Sequence, residues 1–368
     1  MYKHGIDNIE KADALLCGKR VGLITNHTGI TSDFVRTVDV LKARYNLVKL
    51  FAPEHGLHGV LQAGVEIDNM TDEKSGLPVL SLFKEGSAPD FSGIDIIAYD
   101  IQDIGLRFFT YISVLALAMK ECAKVNIPLV IFDRYNPLGL NDISGTMLNK
   151  EFSSFVGMYE IPSRYALTVG EYAKYVNEEE GIGCQLEIIP CSDLSRQDDF
   201  YSLNTPWIPP SPNCPTIETA LSYIGTVVFE GTNVSEGRGT TKPFELIGAP
   251  WINENSLSEQ MNSKKLKGVF FRPAQFMPTF SKYKGECCKG VQIHITDRKE
   301  FDSFYCGMLL LDTIRKNYTE FKTINFLCEL LGTDEFTADD FDLEDFISKH
   351  NQKIREFHNK AKKYHIYN

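Results

Sequence analysis

The sequence has no long apolar run. None of its stretches approaches the roughly 18 apolar residues that a transmembrane helix needs, and its first segment, Met1-Tyr-Lys-His-Gly-Ile-Asp7, lacks the apolar region of a signal peptide. We therefore expect no membrane insertion. We also expect a cytoplasmic location for the chain as given, or a secreted or periplasmic one if a signal peptide was removed before the first residue.

Paired cysteines and an excess of positive charge are absent as well. The nine cysteines include no CxxC pair, which favours reduced thiols over a disulfide framework. The 49 acidic residues outnumber the 38 basic ones and give a formal net charge of -11. Such a chain repels the phosphate backbone, so we expect no nucleic-acid partner.

The motifs of the common cofactor and hydrolase sites are also absent. Gly237-Arg-Gly-Thr-Thr-Lys242 lacks the GxxxxGK[ST] spacing of a phosphate loop, and no GxGxxG follows the first predicted strand. Neither HExxH nor GxSxG occurs. His27 and His55 have no further ligands at metal spacing. We therefore expect neither a cofactor nor a metal.

What the chain does have is an alternation of short apolar runs and helical patterns. The runs, typical of buried parallel strands, are residues 20–25, 47–52, 78–82, 94–99, 127–132 and 184–189. Helical spacing separates several of them, as in residues 35–45, 113–125 and 168–176. The pattern predicts an α/β fold with a Rossmann-like, doubly wound sheet.

We expect two domains in a chain of 368 residues. Residues 216–223 and 226–229 are interpreted as one more helix and strand, which would extend the sheet to Glu230. Shorter strands at residues 268–272 and 290–295 and a helix at 301–316 follow. The predicted division is a Rossmann-like domain over residues 1–250, with the catalytic rim, and a smaller C-terminal α+β domain over residues 251–368 that closes the cleft.

Polar groups follow five of these predicted strands directly. They are Asn26-His27, Pro53-Glu-His-Gly56, Asp100-Ile-Gln-Asp103, Asp133-Arg-Tyr-Asn136 and Glu230-Gly-Thr-Asn233. Open α/β sheets bind ligands beyond the carboxyl ends of their strands. We therefore expect these groups to meet at one rim, where Glu54, in a tight turn beside His55, is a candidate general acid.

The segment Glu230-Gly-Thr-Asn-Val-Ser-Glu-Gly-Arg-Gly-Thr-Thr-Lys-Pro-Phe-Glu245 combines glycines, hydroxyls and both signs of charge. Glycines let the backbone approach a ligand closely. The charges and hydroxyls suit a polar sugar or a phosphate. The segment is therefore predicted to form part of a binding site.

Several motifs together resemble those of the exo-β-N-acetylmuramidase (NamZ-type) family of peptidoglycan glycosidases. They are Pro53-Glu-His-Gly56, Asp100-Ile-Gln-Asp-Ile-Gly-Leu-Arg107, Asp133-Arg-Tyr-Asn-Pro137, Ser211-Pro-Asn-Cys-Pro215, the segment 230–245, Ile247-Gly-Ala-Pro-Trp251, Pro278-Thr-Phe-Ser-Lys-Tyr283 and Gly290-Val-Gln-Ile-His294. The resemblance extends from Gly5 to about Phe301. One departure is Tyr135, where the family often has proline.

The resemblance implies a Rossmann-like fold with a smaller C-terminal domain and an active site between the two. It implies release of terminal N-acetylmuramic acid from the non-reducing ends of peptidoglycan fragments, so saccharides or muropeptides are the expected partners. It favours Glu54 as a catalytic residue. A second role, that of nucleophile or base, falls to Asp100, Asp103 or Glu236, or to the substrate's own acetamido oxygen.

The candidate site residues form two sets. The catalytic set is Glu54, His55, Asp100, Asp103 and Glu236. The substrate-binding set is Asn26, Gln102, Arg107, Tyr111, Asp133, Arg134, Asn136, Asn213, Glu230, Asn233, Ser235, Arg238, Thr240 and Lys242. Among them Arg107, Arg134 and Arg238 are candidates to bind the lactyl carboxylate of muramic acid.

Two other functions remain open from the sequence. A non-catalytic muropeptide- or sugar-binding protein would use the same rim for recognition alone. An NAD- or phosphate-dependent enzyme would rest only on analogy with other Rossmann-like sheets.

Overall fold

A seven-stranded sheet organises the N-terminal part of the computed structural model, which describes residues 2–62, 64–65, 69–82 and 89–368. The strands of the whole chain are β1 (Arg20–Thr25), β2 (Asn46–Ala52), β3 (Met70–Thr71), β4 (Pro78–Ser81), β5 (Ile96–Asp100), β6 (Leu129–Phe132), β7 (Ser144–Met147), β8 (Pro162–Arg164), β9 (Leu186–Ile189), β10 (Leu246–Ala249), β11 (Val269–Phe276) and β12 (Cys288–Ile295). The large sheet has the order β3-β4-β2-β1-β5-β6-β9, with β3 antiparallel to β4 and the other pairings parallel.

Helices cover both faces of this sheet. The α-helices are α1 (Asp13–Leu16), α2 (Thr37–Arg44), α3 (Tyr111–Val125), α4 (Val169–Glu179), α5 (Phe200–Leu203), α6 (Ile217–Thr226), α7 (Glu254–Ser263), α8 (Ser303–Asn317), α9 (Phe326–Leu331) and α10 (Leu343–Ala361). Short 3-10 helices span Gly5–Ala12, Lys150–Phe152, Val227–Gly231, Glu335–Thr337 and Lys362–Tyr364.

The core lies on both sides of the large sheet because neighbouring strand residues point to opposite faces. On β1, Leu23 packs into one apolar cluster and Ile24 into the other, and both are fully buried. This arrangement confirms the predicted doubly wound α/β fold.

One predicted strand is wrong. Residues 226–229 form the end of α6 and a 3-10 turn, not a strand that follows the helix. A short apolar run buried on all sides has no periodicity that separates strand from helix. Glu230 therefore reaches the site from a helical turn.

The C-terminal part is built on a three-stranded antiparallel sheet in the order β10-β12-β11. The predicted strands at 268–272 and 290–295 correspond to β11 and β12, and the predicted helix at 301–316 to α8. Leu246–Ala249 pairs within this sheet. The division into domains at residue 250 stays a prediction.

Within the described ranges, no helix combines the length and the apolar character that crossing a bilayer requires. All nine cysteines, each in a described range, are free thiols.

Candidate active site

Glu54 lies in the turn that follows β2. Its neighbours His55 and Gly56 have φ angles of 72° and 76°, a left-handed conformation that turns the chain sharply. One carboxylate oxygen, Oε1, accepts a hydrogen bond from the Gly64 amide at 2.9 Å, and Oε2 accepts one from the Thr110 hydroxyl at 2.8 Å. The carboxylate is therefore held from two sides.

A cavity of about 50 Å³, here called the Glu54 pocket, opens beside this carboxylate. It is lined by Glu54, His55, Phe108, Phe109, Thr110, Tyr111, Ser211, Asn213, Cys214, Tyr223, Arg238 and Phe244. These residues come from the β2 turn, the start of α3, the 211–214 loop, α6 and the 230–245 segment. Glu54 is the one carboxylate among the described lining residues.

His55 positions the turn. Its Nδ1 donates to the Leu61 carbonyl at 2.7 Å. Burial lowers the pKa of His55 below its ordinary value, against the opposing effect of the Glu54 carboxylate. The ring is therefore neutral at pH 7 and supports the loop after Glu54.

Arg238 brings a cation to the wall of the pocket. Its Nη2 lies 3.1 Å from Glu230 Oε2, its Nε lies 3.4 Å from Glu236 Oε1, and its guanidinium lies over the Phe244 ring at 5.2 Å. Burial raises the pKa of Glu230, and Arg238 opposes that rise. No partner of Arg238 Nη1 occurs among the described residues, so this nitrogen remains available to a ligand.

Lys282 completes this charge cluster and was not among the predicted site residues. Its Nζ lies 2.9 Å from Glu236 Oε2 and donates to the carbonyls of Phe229 at 2.6 Å and Val234 at 3.1 Å. Glu236 is 2% exposed and contacts two cations. The signal for Lys282 was its place in Pro278-Thr-Phe-Ser-Lys-Tyr283, a motif of the family resemblance.

Two further predicted residues line the Glu54 pocket. The Asn213 amide donates to Gln62 Oε1 at 3.0 Å, and the Tyr111 hydroxyl donates to the Pro210 carbonyl at 2.5 Å. Both side chains are held by loops that are distant in sequence. The structure thus brings together Glu54, His55, Tyr111, Asn213 and Arg238.

Other predicted residues of the 230–245 segment shape its backbone. Asn233 bonds the backbone of Glu320 and Lys322 at 2.8 Å each. The Ser235 hydroxyl accepts from the Gly237 amide, while the Thr240 hydroxyl donates to the Gly237 carbonyl. Lys242 pairs with Glu245 at 2.9 Å. Their contacts indicate a structural role in the loop.

Asp100 and Asp103, expected at the rim, instead turn inward. Asp100 is fully buried, pairs with Arg134 at 2.5 Å and accepts from the Thr37 hydroxyl. Asp103 accepts from the Gly105 amide at 2.6 Å and from the Tyr165 hydroxyl. Neither lines the Glu54 pocket, so their contacts do not support a catalytic role.

Asp133, Asn26 and Asn136 are likewise held by buried contacts. Asp133 accepts from the Thr168 hydroxyl and the Gly170 amide, both at 2.8 Å. Asn26 accepts from the Thr28 amide at 2.9 Å, and Asn136 donates to the Leu167 carbonyl at 3.1 Å. These residues fix the strand ends against the loops that follow.

Arg107 and Arg134 do not reach the Glu54 pocket. Arg107 is 1% exposed and donates to the Leu330 carbonyl at 2.7 Å, without a carboxylate partner among the described residues. Burial lowers its pKa to about 9. Arg134 is engaged by Asp100 and by the Ile30 carbonyl at 2.8 Å. Of the three arginines considered for the lactyl carboxylate, only Arg238 faces the pocket.

No group of three or more His, Cys, Asp or Glu side chains is arranged to hold a metal ion in the part of the chain that the structure describes. The expectation that the protein needs no metal stays a prediction.

Comparisons with known proteins give consistent matches over the chain. The family models for exo-beta-N-acetylmuramidase NamZ match with their N-terminal part over residues 21–218 and their C-terminal part over residues 221–367. The peptidoglycan beta-N-acetylmuramidase NamZ of Bacillus subtilis (strain 168) is 42% identical over 363 residues, which cover 96% of this chain and 88% of that protein.

Two solved structures share the fold. Both are crystal structures of DUF1343 family proteins from Bacteroides fragilis NCTC 9343. One has a TM-score of 0.90 at 32% sequence identity, and the other a TM-score of 0.79 at 28%. Each match covers 100% of this chain and 99% of the other.

Proposed function

The chain belongs to the exo-beta-N-acetylmuramidase NamZ family, and on that premise we propose how its site works. It is an exo-acting glycosidase that releases terminal β-linked N-acetylmuramic acid from the non-reducing end of peptidoglycan fragments. The bacterial relative that is named a peptidoglycan beta-N-acetylmuramidase supports this activity. Peptidoglycan-derived saccharides or muropeptides are the proposed substrates.

Glu54 is the proposed general acid, which protonates the leaving glycosidic oxygen. The observation that carries this assignment is that Glu54 is the one carboxylate among the described residues that line the pocket. In the free protein it accepts hydrogen bonds from Gly64 and Thr110. These donors fix the orientation of the carboxyl group at the wall of the pocket.

Hydrolysis of a chromogenic β-N-acetylmuraminide by the Glu54→Gln variant tests the assignment. We expect turnover to fall by at least roughly a hundredfold, because proton transfer from a positioned acid contributes about that much. The amide keeps the shape of the side chain, so thermal unfolding should be little changed. Full activity in a folded Glu54→Gln variant would move the acid role to another residue.

The substrate's 2-acetamido oxygen is the proposed second catalytic group. Asp100 and Asp103 are turned away from the pocket, and Glu236 lies behind Arg238 in contact with two cations. Among the described residues no second carboxylate lines the pocket opposite Glu54, whereas in substrate assistance the acetamido oxygen takes the place of an enzymic nucleophile. Replacing the N-acetyl group by N-trifluoroacetyl weakens the amide oxygen as a nucleophile. A strong fall in kcat supports assistance, and an unchanged kcat contradicts it.

Arg238 is the proposed partner of the lactyl carboxylate that distinguishes N-acetylmuramic acid from N-acetylglucosamine. Its Nη1 has no partner among the described residues, and its Nη2 and Nε are held by Glu230 and Glu236. A planar guanidinium fixed on one side presents its free edge in a defined direction. Selectivity for muramic substrates then comes from this edge.

The competing function is recognition of muropeptides without turnover. It predicts binding of the muraminide with no release of the chromophore, whether or not Glu54 is replaced. Release by the wild-type protein and loss in Glu54→Gln distinguish the glycosidase from this binding protein.

A further inference from the structure

We propose that a second pocket, next to the Glu54 pocket, binds the sugar residue on the leaving side of the scissile bond; this inference rests on the glycosidase function proposed above. The second pocket has a volume of about 140 Å³. Its lining includes the polar side chains of His4 and Gln102 and four aromatic ones, those of Tyr2, Phe34, Tyr135 and Trp207.

The second pocket lies where a parallel sheet is expected to bind ligands. In the sheet, β1 has β2 on one side and β5 on the other. The strands β2 to β4 therefore lie on one side of β1, and the later strands β5, β6 and β9 lie on the other side. Ligands of open α/β sheets bind at such a switch point, beyond the carboxyl ends of the strands. Thr28, Gln102 and Arg134, which follow β1, β5 and β6, all line the second pocket.

Two polar atoms in this pocket are left for a ligand. Gln102 Nε2 donates to the carbonyls of Asp103 at 2.7 Å and Tyr135 at 2.8 Å, which uses both of its hydrogens. Its Oε1 has no partner among the described residues. Tyr2 receives a bond from the Tyr135 amide at 3.2 Å, and its hydroxyl contacts His4 Nδ1 at 2.9 Å. His4 Nε2 has no partner among the described residues, and the tautomer of the ring sets whether it donates or accepts. Gln102 Oε1, an acceptor, and His4 Nε2 suit the hydroxyl and amide groups of an amino sugar.

Aromatic rings supply the apolar walls. Phe34 is 62% exposed and has a φ of 62°, a strained conformation for a bulky residue. The backbone bonds Phe34 N to Thr31 O at 3.0 Å and Thr31 N to Val35 O at 2.9 Å hold this turn. Such strain persists where the surrounding structure enforces it, often at ligand sites. The exposed ring and Trp207 can each receive the C–H face of a pyranose.

Neighbouring parts of one stretch of chain line the second pocket and the Glu54 pocket. Residues 203–208 line the former, and Ser211, Asn213 and Cys214 line the latter. Ile208 and Ser211 are three residues apart and so lie within about 11 Å of each other. The Trp207 indole also donates to the Cys214 carbonyl at 3.1 Å. An exo-acting enzyme has no sugar on the non-reducing side of its terminal residue, so an adjacent sugar pocket belongs to the leaving side.

The volume fits one sugar ring. A buried water needs about 10–15 Å³ of such space, so 140 Å³ admits roughly ten water-sized groups. That is the size of one pyranose with its exocyclic groups. A polymer chain would extend beyond the pocket into solvent.

The first test compares a disaccharide, N-acetylmuramyl-β-1,4-N-acetylglucosamine, with an aryl muraminide that has no second sugar. Phe34→Gly removes the ring and suits the positive φ, so the variant should fold. We expect the ratio of kcat/KM for the disaccharide to that for the aryl substrate to fall roughly three- to tenfold, the contribution of one aromatic contact. Val35→Ala, on the same turn but outside the lining of the second pocket, should leave the ratio unchanged.

The second test uses fluorescence and does not depend on turnover. The chain has 2 tryptophans, so Trp251→Phe leaves Trp207 as the single reporter. Methyl β-N-acetylglucosaminide should change its emission saturably, and less so in the Trp251→Phe, Phe34→Gly double variant. An unchanged kinetic ratio, or a titration without a saturable response, overturns the inference. Absence of cleavage of both substrates by wild type would instead count against the glycosidase function.

Discussion

At the scale of single residues, the site depends on how each charge is balanced. Glu230 and Glu236 meet Arg238 and Lys282, so two negative and two positive side chains form a compact cluster beside the Glu54 pocket. A substrate carboxylate that binds Arg238 adds a third negative charge there. Burial raises the pKa of Glu230, and Arg238 opposes that rise.

Replacing Arg238 by lysine should therefore weaken muraminides far more than glucosaminides. Lysine keeps a charge but loses the planar second edge, and a hydrogen bond to a charged group contributes about 1.5 to 3 kcal/mol. The measurement is kcat/KM for both aryl glycosides in wild type and variant. Equal losses on the two substrates would remove Arg238 from the recognition of the lactyl group.

The buried carboxyl group of Asp103 is predicted to make the free energy of unfolding depend on pH. Burial raises its pKa from about 3.8 to about 6, although Tyr165 and Gly105 donate to it. The folded pKa is above the unfolded one, so the folded state binds more protons between these values and stability falls as pH rises through them. At about 1.4 kcal/mol per pKa unit, the loss is on the order of 3 kcal/mol.

We expect Asp103→Asn to remove this part of the pH dependence. Urea unfolding at about pH 4.5 and about pH 7.5 should show a smaller decrease in stability for the variant than for wild type. Burial also raises the pKa of Asp133 to about 6, so Asp133 contributes its own pH dependence of stability in both the variant and the wild type. The same decrease in both proteins would show that Asp103 does not titrate in this range.

At the scale of elements, the 230–245 segment has a backbone conformation that requires glycine at two positions. Gly237 and Gly239 both have a φ of 79°, and a Cβ on Gly239 would lie 2.6 Å from the Phe280 carbonyl oxygen. The segment therefore packs against the loop that carries Lys282. Arg238 is held between these two glycines, which couples its position to the backbone.

Gly239→Ala should lower both stability and activity, because positive φ and a backbone clash act together. We expect a loss of roughly 1 to 3 kcal/mol in the free energy of unfolding and a higher KM for the muraminide. Gly285→Ala is the matched control, since Gly285 has a φ of 78° with no atom within 4 Å of the added Cβ. Thermal unfolding and steady-state kinetics on both variants separate strain from the clash. Equal effects would attribute the loss to strain alone.

At the scale of the whole molecule, α6 joins the two halves. The C-terminal family match begins at residue 221, inside α6, and this helix also supplies Tyr223 to the Glu54 pocket. It packs on α8 through two glycines. A Cβ on Gly307 would lie 2.1 Å from the Gly225 carbonyl oxygen, so the helices touch through their backbones.

Gly307→Ala tests this packing through the sign of the change in the free energy of unfolding. Helix propensity alone predicts a gain of about 1 kcal/mol for alanine in a helix interior. The close contact predicts a loss of roughly 1 to 3 kcal/mol and lower activity, since α6 would move with Tyr223. Chemical denaturation measures whether the free energy of unfolding rises or falls. A more stable variant would contradict the packing described for α6 and α8.

The sequence by itself determined the doubly wound sheet, because buried parallel strands and amphipathic helices differ in their period of apolar residues. It also made Glu54 a candidate general acid, since the turn after β2 and the family motifs both point to it. It did not separate a strand from a helical turn at residues 226–229, where an apolar run has no period. That distinction depends on the packing of α6.

Only the tertiary structure decided which polar residues face the pocket. Asp100 ends a strand and Asp103 and Glu54 follow strands, yet Asp100 meets Arg134 and Asp103 meets Tyr165, partners 34 and 62 residues away. Glu54 meets Thr110 and remains at the cavity wall. Contacts with residues distant in sequence decide which carboxylate is buried and which lines the cavity, and local sequence does not encode where those residues will lie.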